Sequence, residues 1–110
     1  MTPADPVAGR LGKAPPRAPA NLSAMSGRLW RDVVRAFEFG PTDLVLLESA
    51  FRSLDRAESC RAQVDREGVT VVTERTGAVH VHPAVRVEAE ARREFRISWR
   101  ALGLVDVAGK

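Results

Sequence analysis

Residues 68–83, GVTVVTERTGAVHVHP, decide how this chain is organised. Valine alternates with threonine, then ERTG supplies turn chemistry, then alternation resumes until Pro83 stops it. That pattern predicts a β-hairpin over 69–82. Gly77 suggests a three-residue loop ending in a left-handed glycine. Such a loop pairs Val71 with Val81 and Thr73 with Val79. Val69, Val71, Val79 and Val81 then share one apolar face, and Val72, Ala78, His80 and His82 share the other. A four-residue loop would split the valines across both faces, so the three-residue register is the expectation.

The same stretch holds both histidines of the protein, two apart on one strand. Alternate strand positions point the same way, which is a two-ligand geometry. Zinc takes at least three protein ligands, and no third comes at a telling spacing, because Glu74 sits at the turn and Cys60 lies back in a helix. The expectation is no metal and no cofactor. His82 reads as structural, capping or packing under the helix that Pro83 opens, and His80 as a half-exposed strand residue. Gly68, Gly77, His82 and Pro83 are structural punctuation.

Both sides of the hairpin are helical by period. Upstream, Leu44, Leu47, Phe51, Leu54, Ala57 and Val64 recur at three- and four-residue spacing. This predicts a helix from Thr42, its N-cap, to Glu67, with Gly68 as the stop. At a rise of ~1.5 Å per residue it is nearly 40 Å long. Its charged residues, Asp55 among them, read as a mixed solvated face, and Cys60 as a buried small hydrophobe. Downstream, Pro83 begins a third helix with Ala84, Val87, Ala91, Phe95, Trp99 and Leu102 on one stripe and Gly103 at its end. Its arginines interleave with Glu88, Glu90 and Glu94. Before both lies a first helix, Ser23 to Phe39, with Leu29, Trp30, Val33, Val34 and Phe37 on one face and Gly40 as its cap. Arg28, Arg31 and Arg35 form a basic stripe on the other face. The fold class is therefore mainly α: three helices, the second and third long, with the hairpin between those two.

Met1 to Leu22 holds five of the seven prolines and reads as a disordered basic tail. Residues 23–104 form a helical oligomerisation domain, and 105–110 a short C-terminal tail. The chain has 110 residues and few aromatics, so its own core is small. Trp30, Phe37, Leu47, Phe51, Leu54, Phe95 and Trp99 are the candidate core and oligomerisation residues. Of 17 Lys and Arg, six (Arg10, Lys13, Arg17, Arg28, Arg31 and Arg35) precede residue 38, against Asp5 and Asp32 alone. That excess suits a phosphate backbone, and these six are the candidate DNA-binding residues. No enzyme motif is present, so catalysis is not expected. One cysteine permits no internal disulfide. No apolar run is long enough for a signal peptide or a membrane span.

Taken in order, the segments GRLWRDVV (27–34), DLVLLESAFRSLDRAE (43–58), Glu67-Gly68, the glycine-bearing hairpin, His82-Pro83 and Leu102-Gly103-Leu104 resemble the phage terminase small-subunit family. The resemblance covers 27–104. It departs at Phe51, where a cysteine is common in the family, while Cys60 lies further on. It implies a ring-forming, non-enzymatic homo-oligomer in the cytoplasm of a bacterial host. Such a protein binds double-stranded viral DNA and recruits and regulates the large subunit, the ATPase and nuclease that cuts and pumps the genome. Two other readings stand beside it: a small dimeric DNA-binding transcriptional regulator, and a structural adaptor that binds no DNA.

Overall fold

The computed structural model describes residues 5–6 and 14–104. In chain order these form β1 (Asp5–Pro6), α1 (Ala24–Ala36), β2 (Phe37–Glu38), α2 (Pro41–Glu67), β3 (Thr70–Val72), β4 (Val79–Val81) and α3 (Pro83–Leu102). The protein is mainly helical, with the expected small antiparallel hairpin between the two long helices. β1 pairs antiparallel with β2. No helix among the described residues is long and apolar enough to cross a membrane.

α2 and α3 pack along their length as an antiparallel pair, giving a rod of 63 × 25 × 25 Å. α1 closes one end. There Trp30 and Val34 meet Leu47, Phe51 and Leu102 in a fully buried cluster. Leu54 and Trp99 pack against it, partly buried. Phe51 sits between two indoles, 6.4 Å from the Trp30 ring and 6.0 Å edge-on to Trp99. Phe95 stacks on Trp99 at 5.6 Å, and Phe37 lies 6.4 Å from Phe39. Both are only partly buried.

Three local expectations are corrected. α1 stops at Ala36, because Phe37 turns extended (φ −136°) and pairs with β1. Gly40 is therefore not its cap. It is instead the N-cap of α2, Pro41 takes the first helical position, and Thr42 falls inside the helix. Residues 14–22, expected within a disordered tail, run as a strap along α1 and α2. The Trp30 Nε1–H donates to Pro16 O at 3.0 Å, Arg52 Nη2 to Ala20 O at 3.3 Å, and Ala18 and Leu22 pack on the core. An indole N–H that is buried needs an acceptor, and the strap supplies it. Asn21 takes a positive φ of 69° where the strap turns into α1.

The hairpin register is the fourth correction. Thr70 pairs with Val81, Val71 with His80 and Val72 with Val79, one residue off the expected register. The Thr73 N–H donates to Ala78 O at 2.8 Å and the Gly77 N–H to Thr73 O at 2.7 Å, so the loop has four residues, 74–77. Gly77 is left-handed (φ 72°) as expected. A one-residue slip exchanges strand faces. Val71 shares its face with His80 and His82, while Val72, Val79 and Val81 stand outside, 61, 64 and 60% exposed. The inward histidine explains the choice. His82 is buried, its Nδ1 accepts from the Ala84 N–H at 3.0 Å, and its Nε2 lies 2.7 Å from Glu67 Oε1. These contacts fix the parity of β4, and three valines are exposed in consequence.

Candidate nucleic-acid interface

The six cations expected to meet DNA divide three ways. Arg10 and Lys13 lie outside the described residues. Arg28 is exposed on α1. Arg17, Arg31 and Arg35 come together with Pro15, Pro16, Ala18 and Val34 around a notch of about 350 Å³ between the strap and α1. The strap's anchoring on Trp30 is what brings Arg17 beside a helix that starts seven residues later.

None of Arg17, Arg28, Arg31 and Arg35 makes an ion pair among the described residues. Along the α2–α3 seam the charges are matched. Arg92 holds Glu58 at 3.0 Å and Glu88 at 2.9 Å, Arg61 reaches Glu88 at 3.7 Å, and Arg56 reaches Glu94 at 3.6 Å across the α2–α3 seam. Hydrogen bonds from Arg92 to Glu88 and Glu58 outweigh its partial burial and raise its pKa further above the ordinary guanidinium value. The seam uses its carboxylates internally, and the α1 end leaves its guanidinium groups open to an anion. Guanidinium presents a planar fork of donors that matches phosphate.

One residue that fastens α1 to α2 was missed by sequence reasoning. Asp55, read as part of a solvated face, takes hydrogen bonds from the Ser23 backbone N–H (2.8 Å), the Ser23 hydroxyl (2.7 Å) and the Ser26 hydroxyl (2.6 Å). Burial pushes its carboxyl up, but Ser26, Ser23 and the nearby Arg52 charge together hold it below its ordinary value. Ser23 also accepts from the Ser26 N–H at 3.1 Å as N-cap of α1. A single carboxylate thus sets where α1, and with it the arginine stripe, starts against α2. The signal was present in the Ser-x-x-Ser spacing, but nothing in one sequence says that residue 55 is its partner.

Comparison with family models, with curated proteins and with solved structures finds no match. The candidate interface therefore rests on its own geometry.

The histidines do other work. His80 hydrogen-bonds Thr73 across the hairpin, and His82 caps α3. Since Nδ1 accepts from Ala84, the ring proton sits on Nε2 and is donated to Glu67. That hydrogen bond lowers the Glu67 pKa below its ordinary value. Among the described residues no cluster of three His, Cys, Asp or Glu side chains is placed to hold a metal. Cys60 is partly rather than fully buried.

Proposed function

We propose that the chain is the small subunit of a viral DNA-packaging terminase. In this reading it binds double-stranded phage DNA through Arg17, Arg28, Arg31 and Arg35, with Arg10 and Lys13 on the preceding segment. It assembles into a homo-oligomeric ring and recruits the large ATPase–nuclease subunit in the host cytoplasm. The ordered series of motifs from Gly27 to Leu104 supports the family. The observation that carries the DNA contact is the unpaired set at the α1 end, three members of it gathered round one notch. Phosphate contacts of this kind position a duplex without reading its sequence. α2 follows α1 after only four residues, but its 27 residues lie along α3 rather than projecting as a short recognition helix, which disfavours the regulator reading.

The test is a mass measurement by light scattering together with duplex binding titrated against salt. The expected result is a high-order oligomer whose DNA affinity falls steeply with salt and falls further on R17Q/R31Q/R35Q. A strict monomer with no salt-sensitive binding overturns the proposal.

A further inference from the structure

α3 carries a second line of arginines that its sequence disguises. Arg86, Arg93 and Arg100 are seven residues apart, a spacing that drifts only ~20° around a helix per step. Arg96 lies beside them, three residues from Arg93 and four from Arg100. The buried residues Ala84, Ala91 and Leu102 define the opposite side of the same helix, and all four arginines are exposed. In the sequence they alternate with glutamates, which suggests neutralisation. The fold separates the two signs: Glu88 turns to Arg61 and Arg92, and Glu94 to Arg56, all in the α2–α3 seam. Glu90 is the exception: four residues from Arg86 and three from Arg93, it borders the outer line beside Ile97, and among the described residues it makes no ion pair. None of the four arginines has a carboxylate partner among the described residues.

We infer that this outer line of α3 is a second phosphate-contacting face, fitted to the backbone of duplex DNA. The inference rests on the DNA-binding reading above and adds a surface to it. From Arg86 to Arg100 the helix rises about 21 Å, too long for one nucleotide to meet more than one or two of the four. A duplex carries a negative charge every ~1.7 Å of its axis, so a rigid line of this length meets several at once. All four residues are arginine, the side chain that holds a phosphate through paired hydrogen bonds. A merely solvated helix face interleaves both signs, and here two of the three glutamates of α3 are taken up in the seam.

The experiment compares the full chain with R86Q/R93Q/R100Q, R86K/R93K/R100K and R28Q/R31Q/R35Q, using a 30-base-pair duplex of random sequence. Glutamine and lysine are good helix formers, and circular dichroism verifies that each variant keeps its helix content. The slope of log affinity against log salt is read for each protein. Loss of three phosphate contacts lowers that slope by about 2 to 3, at ~0.9 per contact, in R86Q/R93Q/R100Q, and the lysine variant restores it. An unchanged slope in R86Q/R93Q/R100Q beside a lowered one in R28Q/R31Q/R35Q overturns the α3 face and leaves the DNA reading standing. No salt-dependent binding by the parent chain overturns both. Unchanged DNA binding with a smaller oligomer by light scattering assigns the line to contact with another copy and likewise overturns the inference.

Discussion

The two ends of the rod are built by opposite means. At the α1 end, five large side chains are buried together, and one carboxylate with three donors fastens the helix to α2. At the hairpin end, Val69, Val72, Val79 and Val81 are each more than half exposed, and one buried histidine ties the ribbon to both long helices. Burial supplies the stability of the first end, and directed hydrogen bonds set the geometry of the second. The contrast says where the chain tolerates change, and it ranks the substitutions that test it.

Phe51→Ala should have the largest effect. The ring is fully buried between two indoles, so its loss removes transfer free energy and leaves a cavity that the helices cannot close. A cost of about 3–5 kcal/mol in denaturant unfolding is expected. A loss below about 1 kcal/mol would mean the cluster is not the core of this end.

Asp55→Ala comes next. It leaves the donors of Ser23 and Ser26 without their acceptor, at a cost of about 1–3 kcal/mol. Acid provides a second reading of the same clasp. The Asp55 pKa is lower in the folded chain than its ordinary 3.8, so its stabilising contribution is complete above that value. It is lost as pH falls through the lowered folded pKa. Asp55→Asn should therefore flatten the acid limb of a stability–pH profile below pH 3.8, and an unchanged limb would remove Asp55 from the account.

At the other end, His82→Ala removes the α3 cap and should cost about 0.5–2 kcal/mol. His82→Asn offers an acceptor at the same N-cap position and should recover most of that loss. The Glu67 carboxyl reports the contact directly. In His82→Ala its pKa should rise towards the ordinary 4.5, because the hydrogen bond that depresses it has gone. Carboxyl titration by NMR reads the change, and a fixed Glu67 pKa would show that His82 does not donate to it.

What the sequence made legible follows the same division. The long helices were readable because their apolar residues repeat over five or more turns, and Gly68, Pro83 and Gly103 mark their ends. His82 as a cap was readable from its place before Pro83. The strap was not, since its hold on the core is one indole hydrogen bond and two small apolar contacts, which leave no periodic trace. Nor was the sorting of charge on α3. Interleaved signs along the chain become separate faces only when α2 supplies arginines that hold Glu88 and Glu94 at the seam. Within the candidate site, the α1 stripe was legible from three- and four-residue spacing. The approach of Arg17 to it depended on the strap.

The hairpin register shows the limit most plainly, and it yields the smallest and most discriminating prediction. Collecting four valines on one face favoured a three-residue loop, but that rule treats the ribbon as if burial alone set its register. Two short strands have little surface to bury, and a free two-stranded ribbon is marginal in water. The buried His82, with contacts to Ala84 and Glu67, therefore outweighs the valines and sets which side faces in. In the observed register Val79→Thr and Val81→Thr alter exposed positions and should each change stability by no more than about 0.5 kcal/mol. Val71→Thr alters the half-buried side and should cost more than either. In the alternative register Val71, Val79 and Val81 share one buried face and the three substitutions cost alike. A large loss at Val79 or Val81 in a chain shown to be monomeric would restore that register. The same loss confined to the assembled form would instead place the valine face against a neighbouring copy.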